Sequence, residues 1–149
     1  MASSDLDYDI DDSLPRMMGT CVKLMRESLN ARFQDAGYDI TIEQWIVLLN
    51  LWRQDGLSQQ ALADRYGRSK VAAFKLLEKL EDQGLVMRQA DPVDARCKRV
   101  FLTTDGKKLQ AELVPLAKEN ITAMTRDISQ ADLETAKQVI RKVTSNLLG

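Results

Sequence analysis

Between Arg65 and Leu77 the chain carries four basic residues, Arg65, Arg68, Lys70 and Lys75, and no acid. Seventeen residues after Leu77, Asp94 to Arg99 reads DARCKR, with Arg96, Lys98 and Arg99 close together. Guanidinium and ammonium groups bunched in this way bind phosphate oxygens, and an arginine can also read a base edge. The charge is local. Residues 1–55 hold 5 Lys/Arg against 10 Asp/Glu, residues 56–108 hold 11 against 7, and residues 109–149 hold 5 against 5. A net charge of −1 over 149 residues therefore hides a middle segment at +4, the pattern of a surface patch that attracts a polyanion. Enzyme chemistry finds little to work with. There is no histidine, the commonest general base and metal ligand. Neither a glycine-rich phosphate loop nor a nucleophile elbow occurs. Two cysteines give no disulfide framework. No catalytic residue, metal site or cofactor is expected.

The elements that must position these charges can be read from caps and periodicity. Ser58 is an N-cap for a helix to Tyr66, which Gly67 ends. Ser69 caps a second helix that stops at Gly84, with Ala73, Leu76, Leu77 and Leu80 as its buried stripe. Its other face carries Lys70, Ala72, Phe74 and Lys75, small or basic for the most part, as entry to a groove about 12 Å wide requires. Two strand-like runs, Leu85 to Gln89 and Arg99 to Thr103, flank a turn on Asp91-Pro92 and Asp94. Helix, tight turn, helix, hairpin is the layout of a winged helix-turn-helix, whose second helix sits in the DNA major groove. Lys98 and Arg99 read either as phosphate contacts or as ordinary solvated charges, and Phe74 either as a contact to a thymine methyl or as core.

The flanks are helical. Ser13 to about Ala36 carries Leu14, Met17, Met18, Cys21, Met25, Leu29 and Phe33 at helical spacing, with Ser13 as cap and Pro15 in the first turn. This methionine-rich stripe reads as core, or as one wall of an adaptable ligand pocket. Thr41 to Gln44 has the capping-box form T-x-x-Q. The helix that follows carries Trp45 and Trp52, again core or pocket lining. A long helix is expected after Gly106, and Ser129 caps a last one. There Leu133, Ala136, Ile140, Val143 and Leu147 form a helix–helix seam. A partner chain would cover these faces; a monomer with the helices folded back is the alternative. The expected division is an acidic, disordered tail at 1–12, a dimerisation helix at 13–37, a winged helix-turn-helix lobe at 38–106 and dimerisation helices at 107–149. With no apolar run of membrane length and no secretory segment, a cytoplasmic protein is expected.

Several pieces resemble the multiple antibiotic resistance regulator (MarR) family of bacterial transcription regulators. They are Leu57-Ser58 with Leu62-Ala63, Leu80-Glu81 followed by Gly84-Leu85-Val86, Asp94-x-Arg96, and Leu102-Thr103-x-x-Gly106. The resemblance implies a mainly α fold with a small β-hairpin wing. It implies a homodimer that binds double-stranded DNA at a pseudo-palindromic site, often as a repressor, and releases it when a small-molecule effector or oxidant acts. It gives Arg96 a minor-groove role, with Asp94 holding it by an ion pair. Lys70, Ala72, Phe74 and Lys75 would face the major groove, and Arg65, Arg68, Ser69, Lys98 and Arg99 the phosphates. Met17, Cys21, Met25, Trp45 and Trp52 are candidates for an effector pocket, and Cys21 and Cys97 for a redox switch. Cys97 has basic neighbours on both sides, which would favour its thiolate. Two departures are visible. The family commonly has Thr-Arg where this chain has Phe74-Lys75, and often a basic residue at the position of Ala95. The rival reading is a winged helix used only for protein contact.

Overall fold

The computed structural model describes residues 8–67 and 69–149. Helix α1 (Leu14–Asp35) leads into α2 (Ile42–Arg53), β1 (Leu57–Ser58), α3 (Gln59–Tyr66) and α4 (Lys70–Asp82). A hairpin of β2 (Val86–Ala90) and β3 (Lys98–Leu102) follows, then α5 (Thr104–Met124) and α6 (Gln130–Leu148). The fold is mainly helical with a small wing. The three strands form an antiparallel sheet in the order β1-β3-β2, with Leu57 opposite Val100 and Val86 opposite Leu102.

Local chemistry sets most of the helix ends. The Thr41 hydroxyl accepts from Gln44 N at 3.2 Å and the Gln44 side chain accepts from Thr41 N at 3.0 Å, so the capping box is complete. Ser58 caps α3 through Ala61 N at 3.0 Å, and Gly67 ends it with φ +70°, a conformation that costs glycine least. Ser69 caps α4 through Ala72 N at 3.2 Å. Ser13 occupies the N-cap position of α1 as expected, but its side chain makes no capping bond; the hydroxyl donates to Ile10 O instead. Helix α5 starts at Thr104 rather than after Gly106, because the Thr103 hydroxyl accepts from Gly106 N at 3.0 Å and draws the first turn back. Both hairpin strands are displaced by one residue from their expected bounds, and β1 was not expected at all.

The core lies where α1, α2, α4, α5 and the sheet meet. Phe33, Leu48, Leu51, Leu77, Leu80, Val86, Val100 and Leu113 are almost wholly enclosed. Burying each such side chain contributes about 1.5–3 kcal/mol before entropy is counted. Trp45 sits between Phe33 (ring centroids 5.2 Å apart) and Trp52 (5.6 Å, edge-on), an arrangement favourable to the ring quadrupoles.

Two expectations of burial fail within the single chain. Of the α1 stripe, Phe33 is buried and Leu29 half-buried, whereas Leu14, Met17, Cys21 and Met25 are exposed. In α6 no residue is buried, and Ile140 and Leu147 of the expected seam are 48% and 82% exposed. A helical apolar period marks a face that prefers to leave water; it does not say which chain covers it. Of the acidic tail, residues 1–7 lie outside the described residues. Residues 8–12 form a turn in which Asp9 Oδ1 accepts from Asp11 N and Asp12 N.

Candidate nucleic-acid interface

Helix α4 is fixed from beneath and bare above. Ala73, Leu77 and Leu80 are buried on its inner side, while Lys70, Val71, Ala72 and Lys75 are exposed. Three of these four were expected from sequence. Val71, 65% exposed at the centre of the row, was not, although its spacing from the buried stripe places it there. A β-branched apolar side chain in that position suits a thymine methyl. Phe74 is half-buried against the core, and it lines a recess with Ser58, Gln59, Gln60, Arg96, Cys97 and Lys98, between the start of α3, α4 and the wing. Of its two readings this favours core. Arg65 is exposed at the end of α3, and Ser69 is exposed at the start of α4. Arg68 lies outside the described residues.

Two aspartates build the wing. Asp91 Oδ1 accepts from Val93 N at 2.8 Å and Asp94 N at 3.1 Å, and Asp91 N donates to Cys97 O at 2.8 Å. The backbone N–H groups of Val93 and Asp94, then the Arg99 side chain, hold the Asp91 carboxyl below its ordinary pKa. Asp94 Oδ1 accepts from both Arg96 N (3.1 Å) and Arg96 Nε (3.2 Å), and the same bonds lower its pKa. The Arg96 side chain is nevertheless 93% exposed. Asp94 therefore directs the guanidinium without covering it, and the charge projects from a tip stiffened by the hairpin.

Arg99 differs from its expected place. Its Nε donates to Asp91 Oδ2 at 2.5 Å and its Nη1 to Gly56 O at 2.9 Å, so it ties the wing turn to the loop before β1. Arg99 is thus a strut of the wing whose side chain is still 44% exposed. Lys98 is exposed at the start of β3. Cys97 also corrects its sequence reading. Its Sγ lies 3.6 Å from Asp94 Oδ2, and the negative charge of Asp94 pushes the thiol pKa up. Neighbours in sequence are cationic, but the neighbour in space is an anion, and thiolate formation is disfavoured.

Arg88, which the sequence reading passed over, connects wing to helices. It stands opposite Val100 in the sheet and so faces inward. Its Nη2 donates to Glu81 Oε1 at 3.0 Å and its Nη1 to Gln59 Oε1 at 3.1 Å, while Glu81 Oε2 accepts from Arg88 N at 3.1 Å. These bonds from Arg88 hold the Glu81 carboxyl below its ordinary pKa. The signal was the alternation itself, since Val86 and Arg88 share a face.

The five candidate effector residues are divided. Met17 and Cys21 line one groove on α1 with Leu24, and Cys21 and Met25 line another with Ser28 and Met124. Trp45 is in the core, and Trp52 Nε1 donates to Gly106 O at 2.9 Å. Among the described residues, no helix is long and apolar enough to cross a membrane.

Comparison with known proteins bears on this geometry. The sequence pattern of the MarR family matches residues 40–98, which span α2, the helix-turn-helix and the wing as far as the first residue of β3. The transcriptional regulator HosA of Escherichia coli O111:H- is 30% identical over 113 residues, 76% of this chain and 84% of that protein. The crystal structure of a MarR transcriptional regulator from Methanosarcina mazei Go1 superposes with a TM-score of 0.77 at 26% identity, over 89% of this chain and 96% of that one. BpsR of Bordetella bronchiseptica superposes with a TM-score of 0.82 at 21% identity, over 92% of this chain and 96% of its own, a likeness of fold. The chain belongs to the MarR family of transcription regulators.

Proposed function

We propose that the protein is a homodimeric, sequence-specific DNA-binding repressor that leaves its operator when a small molecule binds. The observation that carries this reading is the pairing, on one lobe, of the exposed row Lys70, Val71, Ala72 and Lys75 with the projecting Arg96. The first suits base edges in the major groove, and the second suits the narrow minor groove beside it. Arg65, Arg68 and Lys98 add phosphate charge. The bare apolar faces of α1 and α6 support a partner chain, since a C₂ dimer would cover both at once and offer two recognition helices about 34–36 Å apart. Release by a ligand is supported by the methionine-lined grooves of α1 and by the relative BpsR, whose DNA binding is regulated by 6-hydroxynicotinic acid. A ligand that prefers one spacing of the two lobes would shift the population away from the operator-fitting state. Release by oxidation would rest on Cys21, exposed on α1, rather than on Cys97 beside its aspartate.

The test is binding of the purified protein to DNA from upstream of its own gene, by fluorescence anisotropy at two salt concentrations, against unrelated DNA. Tight binding that prefers the upstream fragment and falls steeply with salt is expected. Absence of binding to either at low salt would refute it.

A further inference from the structure

Gln44 is fully buried in the first turn of α2, and both ends of its amide are engaged. Its Oε1 accepts from Thr41 N at 3.0 Å, and its Nε2 donates to Gln83 Oε1 at 2.6 Å. Gln83 is the C-cap residue of α4, and its Nε2 donates in turn to Asp39 O at 3.0 Å, in the loop that joins α1 to α2. The direction of the chain of bonds is fixed at both ends. Thr41 N–H can only donate and the Asp39 carbonyl can only accept, so neither amide can turn over without losing a bond. A glutamate at position 44 would complete the capping box equally well. Only an amide adds the donor that reaches Gln83. Burial of such a pair contributes less to stability than to geometry, because its bonds are directional where apolar contacts are not.

The link lies between the C-terminal end of the helix that faces the groove and the loop through which α1, with its bare apolar face, enters the lobe. We infer that the Gln44–Gln83 pair sets the angle of α4 against the α1–α2 loop, and with it the separation of the two recognition helices; Gln83 is a positioning residue for operator spacing. The inference rests on the proposed function, a dimer on two half-sites. The lever is long. Helix α4 has 13 residues and so spans about 20 Å. A change of about 10° in its direction at the Gln83 end would carry the Lys70 end by about 3.4 Å, the axial step of one base pair. Leu77 and Leu80 anchor the helix from beneath, and the amide pair adds a directional constraint at its C-terminal end.

The test uses Gln83→Met, which keeps the length of the side chain and removes both bonds, and Gln83→Glu, which keeps the bond from Gln44 and loses the donor to Asp39. Operators are selected from random duplexes by the full-length wild-type protein, then rebuilt with the half-sites one base pair closer and one base pair further apart. Wild type is expected to prefer the selected spacing. In Gln83→Met, which breaks the pair and the bond to Asp39, that preference should fall at least about fivefold, the factor that one net hydrogen bond confers; in Gln83→Glu, which keeps the pair, the fall should be smaller. Affinity for a duplex with one half-site should stay unchanged. A loss of stability alone lowers the active fraction on all duplexes alike and leaves their ratio as it was. An unchanged ratio in Gln83→Met overturns the inference. A second arm needs no DNA: nitroxide labels at Lys75→Cys, in a chain with Cys21→Ser and Cys97→Ser, report the distance between protomers. Gln83→Met should broaden that distribution, and one as narrow as wild type overturns the link. A wild-type protein that selects no duplex refutes the DNA reading, and the distance arm then decides the link alone.

Discussion

Gly106→Ala tests how closely α5 approaches the wing sheet. In an ordinary helical position this exchange stabilises a protein by about 0.5–1 kcal/mol. At Gly106 the added Cβ would lie 2.1 Å from the Leu85 carbonyl oxygen and 3.2 Å from Leu102 Cδ2. The obstacle is backbone, and it is already engaged, since Leu85 O accepts from Thr103 N at 3.0 Å. Either that bond opens or the first turn of α5 lifts, which also strains the bond from Trp52 Nε1 to Gly106 O. Overpacking costs about 1–3 kcal/mol, and a lost hydrogen bond about 1 kcal/mol more. After the helical gain is subtracted, a net loss of about 1–3.5 kcal/mol is expected. Gly19→Ala in α1 is the control. There the new Cβ meets nothing within 4 Å, and a gain of about 0.5–1 kcal/mol is expected. Urea unfolding followed by tryptophan fluorescence, at one fixed protein concentration, measures both. A Gly106→Ala protein as stable as wild type would refute the close approach of α5 to Leu85.

Arg96→Ala should leave stability within about 0.5 kcal/mol of wild type, since the side chain is exposed, yet weaken operator binding about tenfold or more; equal affinity would remove the wing from the interface. Deleting residues 129–149 should yield monomers in sedimentation, because that segment has no buried residue in its own chain, and a surviving dimer would put the interface elsewhere. Asp91 has its folded pKa below its ordinary 3.8, so its contribution to stability is present above that value and lost as pH falls through the folded pKa. The stability difference between wild type and Asp91→Asn should therefore be widest near neutrality and shrink in acid; a difference independent of pH would contradict the bonds drawn around Asp91.

Where the determinant is local, the sequence was legible. Thr41 with Gln44, Ser58, Gly67 and Ser69 act within three or four residues of themselves, and each occupies the cap position expected of it. The buried stripe Ala73, Leu77 and Leu80 likewise follows from helical period. Long-range pairing was not legible. Leu57 and Ser58 become a strand because Val100 and Arg99 lie beside them, and nothing near Leu57 announces that. Spatial neighbours also overruled sequence neighbours at Cys97, which has an arginine and a lysine on either side and a carboxylate against its sulfur. Arg99 became a strut for the same reason, drawn to Asp91 by the register of the hairpin. Val71 was overlooked because an apolar residue on a DNA-facing helix reads as core unless the stripe is counted around the helix.

The order of the sheet also bears on how the lobe is built. Strands β1 and β2 both pair with β3, the last of the three to be synthesised. Gly56 N donates to Val100 O, and Asp55 Oδ1 accepts from Leu102 N, so the end of the α2–β1 loop also waits for it. Helices α3 and α4 can associate while still near the ribosome, since their contacts are local, whereas β1 must close a loop of about 40 residues before it gains a partner. Assembly of the lobe is thus completed from the middle of the sheet outward. Until residues 98–102 emerge, β1 and β2 present unpaired edges to every nascent copy nearby, which makes that interval the point at which crowded synthesis would favour misassembly.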